Sequence, residues 1–326
     1  MRRAVAALAL CAAFFGTATA QPPPSPERAL AAVVGVKARA VKGARTAEVL
    51  GAERAGSGVL VRPDAVLTIG YLVIEAETVE VTGADGRVVP ATLAGFDPVS
   101  GFGVLRLLAP LAAQPIALGD AQRLAEREPA LAVPCCGSAA ASLVYVVSRR
   151  PFAGSWEYHL DSAIYTYPPV PNWSGAALIG VRGELLGVGS LLVSDVAGEG
   201  RAVPGNLFVP VDLVAPVLDE LLEAGRRAGP ARPWLGMNTE ELGGRLVVVR
   251  VAPEGPAERA GIAMGDVVLA VAGEEVRALA EFYRRVWALG PAGVEVPLKV
   301  LQGGRVRELV LRSIDRLEHL RPRPTY

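Results

Sequence analysis

General-base and metal chemistry falls mostly to histidine, cysteine and the carboxylates, and this chain of 326 residues is thin in the first two, with two histidines and three cysteines. His159 has Asp161 as a neighbour in a strand-like run and reads as structural, and His319 lies in the C-terminal tail. Cys135 and Cys136 are adjacent, so together they could close only into a strained vicinal ring, and a metal site would need ligands that the local sequence lacks. The expectation is two buried thiols at a strand end, with no metal and no cofactor. A serine nucleophile remains conceivable, but a serine hydroxyl at neutral pH needs a base within hydrogen-bond reach. With so few imidazoles, the identity of that base becomes the question.

The elements that would position such residues follow from composition and pattern. The chain is 51% hydrophobic and 20% charged, the balance of a globular protein, and its length suggests two domains. Formal charge sums to zero, and Lys37, Lys42 and Lys299 are the only lysines, so there is no electrostatic footprint for nucleic acid. Arg2-Arg3, an apolar run from Ala4 to Phe15 and the small residues Ala18 and Ala20 spell a signal peptide cleaved after Ala20. Export to the periplasm or beyond is therefore expected. Bulky Leu10 before Cys11 argues against a lipoprotein.

Residues 129–148 are uncharged and long enough to span a bilayer, yet Pro134, Gly137 and a β-rich run from Leu143 to Val147 favour two strands about a turn. From Val36 to Ser194, short apolar runs are separated by Gly, Pro and Asp, the spacing of an all-β barrel or sandwich. Leu213, Val217, Leu221 and Leu222 then predict an amphipathic helix over 211–226 that ends at Gly225, followed by a solvated linker with Arg226, Arg227 and Arg232 close by. Residues 233–315 alternate strands, one helical turn, a helix over 279–289 and a closing hairpin about Gly303-Gly304, which makes a small α+β domain.

Within that last segment, Trp234-Leu235-Gly236-Met237, Ala252-Pro253-Glu254-Gly255-Pro256-Ala257 and Gly265-Asp266-Val267-Val268 resemble a bacterial PDZ domain. The resemblance implies that the backbone N–H groups around Leu235-Gly236 receive a peptide's terminal carboxylate while the peptide adds as a strand beside Met237. Phe282 and Val286, on the apolar face that also carries Leu279 and Leu289, are assigned to the ligand pocket by the same resemblance; simple core packing is the alternative.

The preceding segment resembles the HtrA proteases, which have a trypsin-like fold. Gly56-Ser57-Gly58-Val59-Leu60 opens it, Val66-Leu67-Thr68 leads toward the family's histidine, Asp97-Pro98 leads toward its aspartate, and Ser174-Gly175 stands where the nucleophile belongs. Tyr71 and Gly101 occupy the histidine and aspartate positions, and Asn172-Trp173-Ser174-Gly175-Ala176-Ala177 replaces the family's G-N-S-G-G-P.

The resulting expectation is a mainly β chain: a trypsin-like double six-stranded β-barrel followed by a small α+β PDZ domain. Its divisions are a signal peptide (1–20), an N-terminal tether and helix (21–44), a degenerate protease domain (45–226), a linker (227–233), the PDZ domain (234–316) and a tail (317–326). Functionally the resemblance implies a pseudoprotease that binds peptides, protein C-termini or misfolded envelope proteins through Trp234, Leu235, Gly236, Met237, Phe282 and Val286, as adaptor, regulator or chaperone. By the same resemblance it forms a homo-oligomer, a trimer. The alternative is a serine endopeptidase using Ser174 with a non-standard base, for which a Ser-His-Asp set with His159 and Asp161 is the candidate.

Overall fold

The computed structural model describes residues 26–135, 141–198 and 200–320. The signal peptide and most of the tether predicted from the sequence lie outside these residues. A short helix, α1 (Pro26–Ala31), leads into β1 (Val33–Ala40), whose side chains alternate between core and surface. After α2 (Ala47–Leu50) come β2 (Glu53–Arg62), β3 (Ala65–Ile69), β4 (Ala76–Thr82), β5 (Val88–Phe96) and β6 (Phe102–Leu107). These six strands close in the order β1-β2-β3-β6-β5-β4. Closure leaves no free sheet edge. The division at residue 45 is thus corrected: Val33, Val34, Val36 and Ala38 are buried, and β1 is a wall of the first barrel rather than part of a tether.

The second barrel is built from β7 (Pro129–Val133), β8 (Ser142–Gly154), β9 (Tyr158–Tyr167), β10 (Ala177–Ile179), β11 (Leu185–Val193) and β12 (Gly205–Pro210), closed as β10-β11-β12-β9-β8-β7. The charge-free segment 129–148 supplies β7 and the start of β8, which pair antiparallel. No helix among the described residues is long and apolar enough to cross a membrane. The helix predicted over 211–226 is α-helical only in α3 (Leu218–Ala224); two 3₁₀ turns, Val211–Leu213 and Ala215–Val217, precede it. Pro216 has no N–H to return to Asp212, so the longer helix cannot propagate through it. Gly225 ends α3 in the left-handed conformation, φ 75°.

The third unit is a sheet of β13 (Met237–Leu242), β14 (Arg245–Val251), β15 (Val267–Val271), β16 (Glu274–Glu275), β17 (Glu295–Gln302) and β18 (Arg305–Arg312), in the order β13-β14-β15-β17-β18 with β16 beside β15. With it come α4 (Pro256–Arg259), α5 (Leu279–Ala288) and α6 (Arg316–His319). Leu279, Phe282, Tyr283 and Val286 of α5 are all buried against the sheet.

The linker is solvated as expected, with Ala228, Gly229, Pro230 and Arg232 exposed, and its arginines also fasten it to both domains. Arg227 pairs with Asp97 of the first barrel at 2.7 Å, Arg226 pairs with Asp315 at 2.8 Å, and the Arg232 guanidinium lies 4.2 Å from the centre of the Trp287 ring. Each arginine finds a carboxylate or an aromatic face while keeping part of its surface in solvent.

Candidate functional sites: a serine turn and a carboxylate loop

The turn Trp173-Ser174-Gly175 is gripped from both barrels. The Ser57 N–H of β2 donates to Ser174 O at 2.8 Å, and the Gly175 N–H donates to Gly189 O of β11 at 2.9 Å. There is no room for side chains at these approaches: a methyl on Gly175 would stand 1.9 Å from Ser57 O, and one on Gly189 would stand 2.0 Å from Trp173 O. Thr68 Oγ1 donates to the same Ser57 carbonyl at 2.6 Å and holds β2 to β3 at this point.

Tyr71 belongs to a 3₁₀ turn, Gly70–Leu72, that follows β3. The Gly70 N–H donates to Gly101 O at 2.7 Å, so the turns carrying positions 71 and 101 are held side by side, and the Tyr71 ring reaches Ser174 and Trp173. The structure therefore brings all three positions together. Two of them carry a phenol and a glycine. The Tyr71 hydroxyl donates to Ser190 O at 2.8 Å, and burial pushes its pKa up to about 12, with Ser174 and Trp173 pulling it back by less. At pH 7 about one such phenol in 10⁵ is ionised. Ser174 Oγ is buried and makes no hydrogen bond.

Gly101 lies at φ 80°, and a Cβ there would come 3.1 Å from the Tyr158 hydroxyl, which donates to Ser100 O at 2.5 Å. The Tyr158 ring thus fills the space that a carboxylate at position 101 would need. Asp97 is fully buried and already engaged, accepting from Ser100 Oγ at 2.6 Å and from Arg227 at 2.7 and 3.2 Å. Burial pushes its carboxyl upward, but the Arg227 and Ser100 hydrogen bonds and the Arg227 charge outweigh that and hold it below the usual range.

His159 stands in another neighbourhood. Its ring meets Trp287 edge-on at 6.5 Å, and its Nδ1 lies 3.5 Å from Asp161. Burial lowers its pKa, an effect that Asp161 only partly opposes. His159 Nε2, like Ser174 Oγ, is buried without a hydrogen-bond partner, so the two are not bonded to each other. His319 lies against Trp234, with ring centres 4.6 Å apart. Cys135 is disulfide-bonded, which corrects the expected thiol; its N–H donates to Ser57 Oγ at 2.8 Å. Cys136 lies outside the described residues. Among the described residues, no cluster of His, Cys, Asp and Glu could hold a metal ion.

The second site is the loop before β13. Gly236 takes φ 79°, a conformation that strains any L side chain, and this turns successive backbone N–H groups inward. They converge on a carboxylate, that of Glu157 in the turn between β8 and β9. Leu235 N–H donates to Glu157 Oε2 at 2.8 Å, and Gly236 and Met237 N–H donate to Oε1 at 2.7 and 3.1 Å. Beside it, Thr239 N–H donates to Ser155 O at 2.9 Å. Trp234 exchanges backbone hydrogen bonds with Ile314 at 3.0 and 3.2 Å and closes the base of the loop. Phe282 and Val286 are buried in the core behind α5.

Glu157 is fully buried. Burial pushes its carboxyl up to about 7, against the three N–H groups and the Arg316 charge, which favour the ionised form. No sequence signal pointed to it. It lies 78 residues before Leu235 and belongs to the other domain; its one local oddity, φ 58° in a residue that is not glycine, is invisible without coordinates.

These features define a class: two antiparallel six-stranded barrels with a serine turn between them, joined to a small domain with a carboxylate-binding loop. Residues 56–188 match the trypsin-like peptidase domain family, and residues 233–312 match the PDZ domain family. The chain thus carries a trypsin-like peptidase domain followed by a C-terminal PDZ domain, an arrangement in which it is similar to HtrA/DegP-type proteases. It is 27% identical over 267 residues to the periplasmic serine endoprotease DegP of Escherichia coli K12, covering 77% of this chain and 55% of that one. It is 26% identical over 291 residues to the serine protease Do-like HtrB of Bacillus subtilis, covering 78% and 60%. The chain therefore spans little more than half the length of the curated relatives it matches. Among solved structures its fold is similar to the HtrA-type protease AlgW with a decapeptide, at TM-score 0.53 and 21% identity over 92% of this chain and 100% of the other. It is also similar to a serine endoprotease from Yersinia pestis, at TM-score 0.51 and 23% identity over 90% and 99%.

Proposed function

We propose that this protein is an exported HtrA-type pseudoprotease that captures peptides or protein C-termini in its PDZ loop and serves as adaptor, regulator or chaperone in envelope protein quality control. One observation carries the binding half: the N–H groups of Leu235, Gly236 and Met237 converge on a carboxylate at 2.7–3.1 Å. Hydrogen bonds to an ionised acceptor are about twice as strong as neutral ones, so such a loop selects a carboxylate. The β13 edge then adds the peptide backbone as a further strand. The periplasmic Escherichia coli relative and the solved HtrA-type neighbour with a bound decapeptide support export and peptide recognition. Cleavage after Ala20 belongs to the same proposal.

The pseudoprotease half rests on the serine turn. Ser174 Oγ is buried, its neighbour Tyr71 is a protonated phenol, and Gly101 supplies no carboxylate to orient or charge-stabilise a base. Residual hydrolysis from binding and backbone donors alone is worth at best roughly 10³ to 10⁴ over water. The retained serine and the proteolytic names of the relatives favour the competing reading, an endopeptidase acting through Ser174.

Two measurements on the mature protein decide between them. A fluorophosphonate probe is expected to label wild type no more than Ser174→Ala; labelling that vanishes in the variant sinks the pseudoprotease. A dye-labelled decapeptide ending in three valines is expected to bind in the micromolar range and to lose at least about tenfold on C-terminal amidation, which removes the charged acceptor. Equal binding of the two forms, or none across a peptide panel, sinks the carboxylate-capture reading.

A further inference from the structure

The PDZ loop is already filled, and by the chain itself. The turn from Gly154 to Glu157 enters the groove in the manner of a short ligand. The Glu157 carboxylate takes all three loop amides, and the Ser155 carbonyl accepts from Thr239 on the β13 edge. The tip is held from the opposite side by α5, where the Tyr283 hydroxyl donates to Gly154 O at 2.7 Å and stands 3.3 Å from Glu157 N. Ala153 packs on the PDZ core, and Arg316 of α6, half-buried, places its charge near the Glu157 carboxylate and reaches Trp156 O at 3.5 Å. No surface ion pair gives this pattern: a buried acid from one domain meets three converging amides and a strand edge in the other.

We propose that Glu157 is an internal ligand of the PDZ loop, its side-chain carboxylate standing in for a peptide's C-terminus, so that a peptide binds by displacing the β8–β9 tip. This rests on the carboxylate-capture reading of the loop and assigns that loop its resting occupant. The amides have a fixed number of donors, so carboxylates compete for them one at a time. The observed affinity for a peptide is then the intrinsic affinity multiplied by the fraction of molecules with the tip released. The tip also continues directly into Tyr158, whose ring lies beside Gly101, so displacement reaches the edge of the serine turn.

Amide hydrogen exchange on the full mature chain tests the occupant without any peptide. Leu235, Gly236 and Met237 are expected to be protected in wild type, to lose at least tenfold in protection in Glu157→Ala, and to lose less in Tyr283→Phe, which keeps the carboxylate and removes one clamp. Glu157→Gln, nearly isosteric, keeps the tip foldable if alanine disturbs it and is expected to fall between. Equal protection in wild type, Glu157→Ala and Glu157→Gln overturns the proposal. The valine-ended decapeptide is expected to bind Glu157→Ala at least tenfold more tightly than wild type, and equal affinities also overturn it. Loss of protection in Glu157→Ala with no peptide bound by either protein upholds the internal ligand and removes the peptide-capture reading instead.

Discussion

The serine turn and the PDZ loop are both made by glycine-dependent backbone, yet they present opposite chemistry. At the serine turn the backbone is tightly held, Gly175 and Gly189 fixing Ser174 between the barrels, while on the proposed reading a phenol and a glycine stand where a base and its carboxylate would be needed. At the PDZ loop the chemistry is intact and in use, with three amides on one carboxylate. Backbone geometry is held by fold stability, whereas side-chain chemistry can be lost at little cost to the fold.

The sharpest way to break that comparison is to add one methyl to each turn. Gly175→Ala places its Cβ 1.9 Å from a backbone carbonyl at φ 74° and is expected to cost about 4 kcal/mol or more in chemical denaturation. Gly236→Ala, at φ 79° with its nearest contact 3.1 Å away on the Trp234 ring, is expected to cost only about 1–2 kcal/mol while weakening peptide binding. The reverse order would mean that the PDZ loop, not the serine turn, is the rigid one.

A next, smaller effect is electrostatic. The Glu157 carboxyl is raised from 4.5 to about 7 in the fold, so its contribution to stability is fully present below about pH 4.5 and is lost as pH rises through about 7. The sum is roughly 3 kcal/mol, at about 1.4 kcal/mol for each pKa unit. The groups facing it are the Arg316 guanidinium, which opposes the shift, and the neutral Tyr283 hydroxyl. Unfolding free energies of wild type and Glu157→Gln, compared from pH 4 to 8, should diverge as pH rises, with wild type losing ground. A constant difference would place Glu157 ionised throughout and leave the loop a stronger anion site than burial implies. The smallest effect belongs to the exposed pair Arg250–Glu48 at 2.7 Å, which also bridges the two domains. Arg250→Ala is expected to change stability by no more than about 0.5 kcal/mol in thermal unfolding, because solvent screens it; a larger loss would shift weight from the buried Glu157 contact to the rim.

What was legible from sequence follows the range over which each signal acts. Short β-rich runs punctuated by Gly, Pro and Asp pointed to a barrel or sandwich and then a small α+β domain, and the double barrel and PDZ unit came from the resemblance of contiguous motifs, all local signals. The segment 211–226 misled because its apolar spacing is helical throughout while Pro216 removes one donor in the middle. The linker read correctly as solvated, but the partners of its arginines were not legible, because polar composition says nothing about which carboxylate or ring lies opposite. Tyr71 and Gly101 were found by position in a motif, but Tyr158, which fills the space beside Gly101, comes from a strand 57 residues on. Glu157 was illegible for a deeper reason: an internal ligand resembles its loop in no residue type, only in presenting two oxygens.

The linker's arginines also constrain how such a plug could ever come out. With Arg227 paired to Asp97 on one side and Arg232 lying on Trp287 on the other, the linker 227–233 is anchored to both domains. Release of Glu157 is then a movement of the β8–β9 tip away from a small domain that stays pinned through its linker, more like a pallet lifting from a latch than a ball on a string.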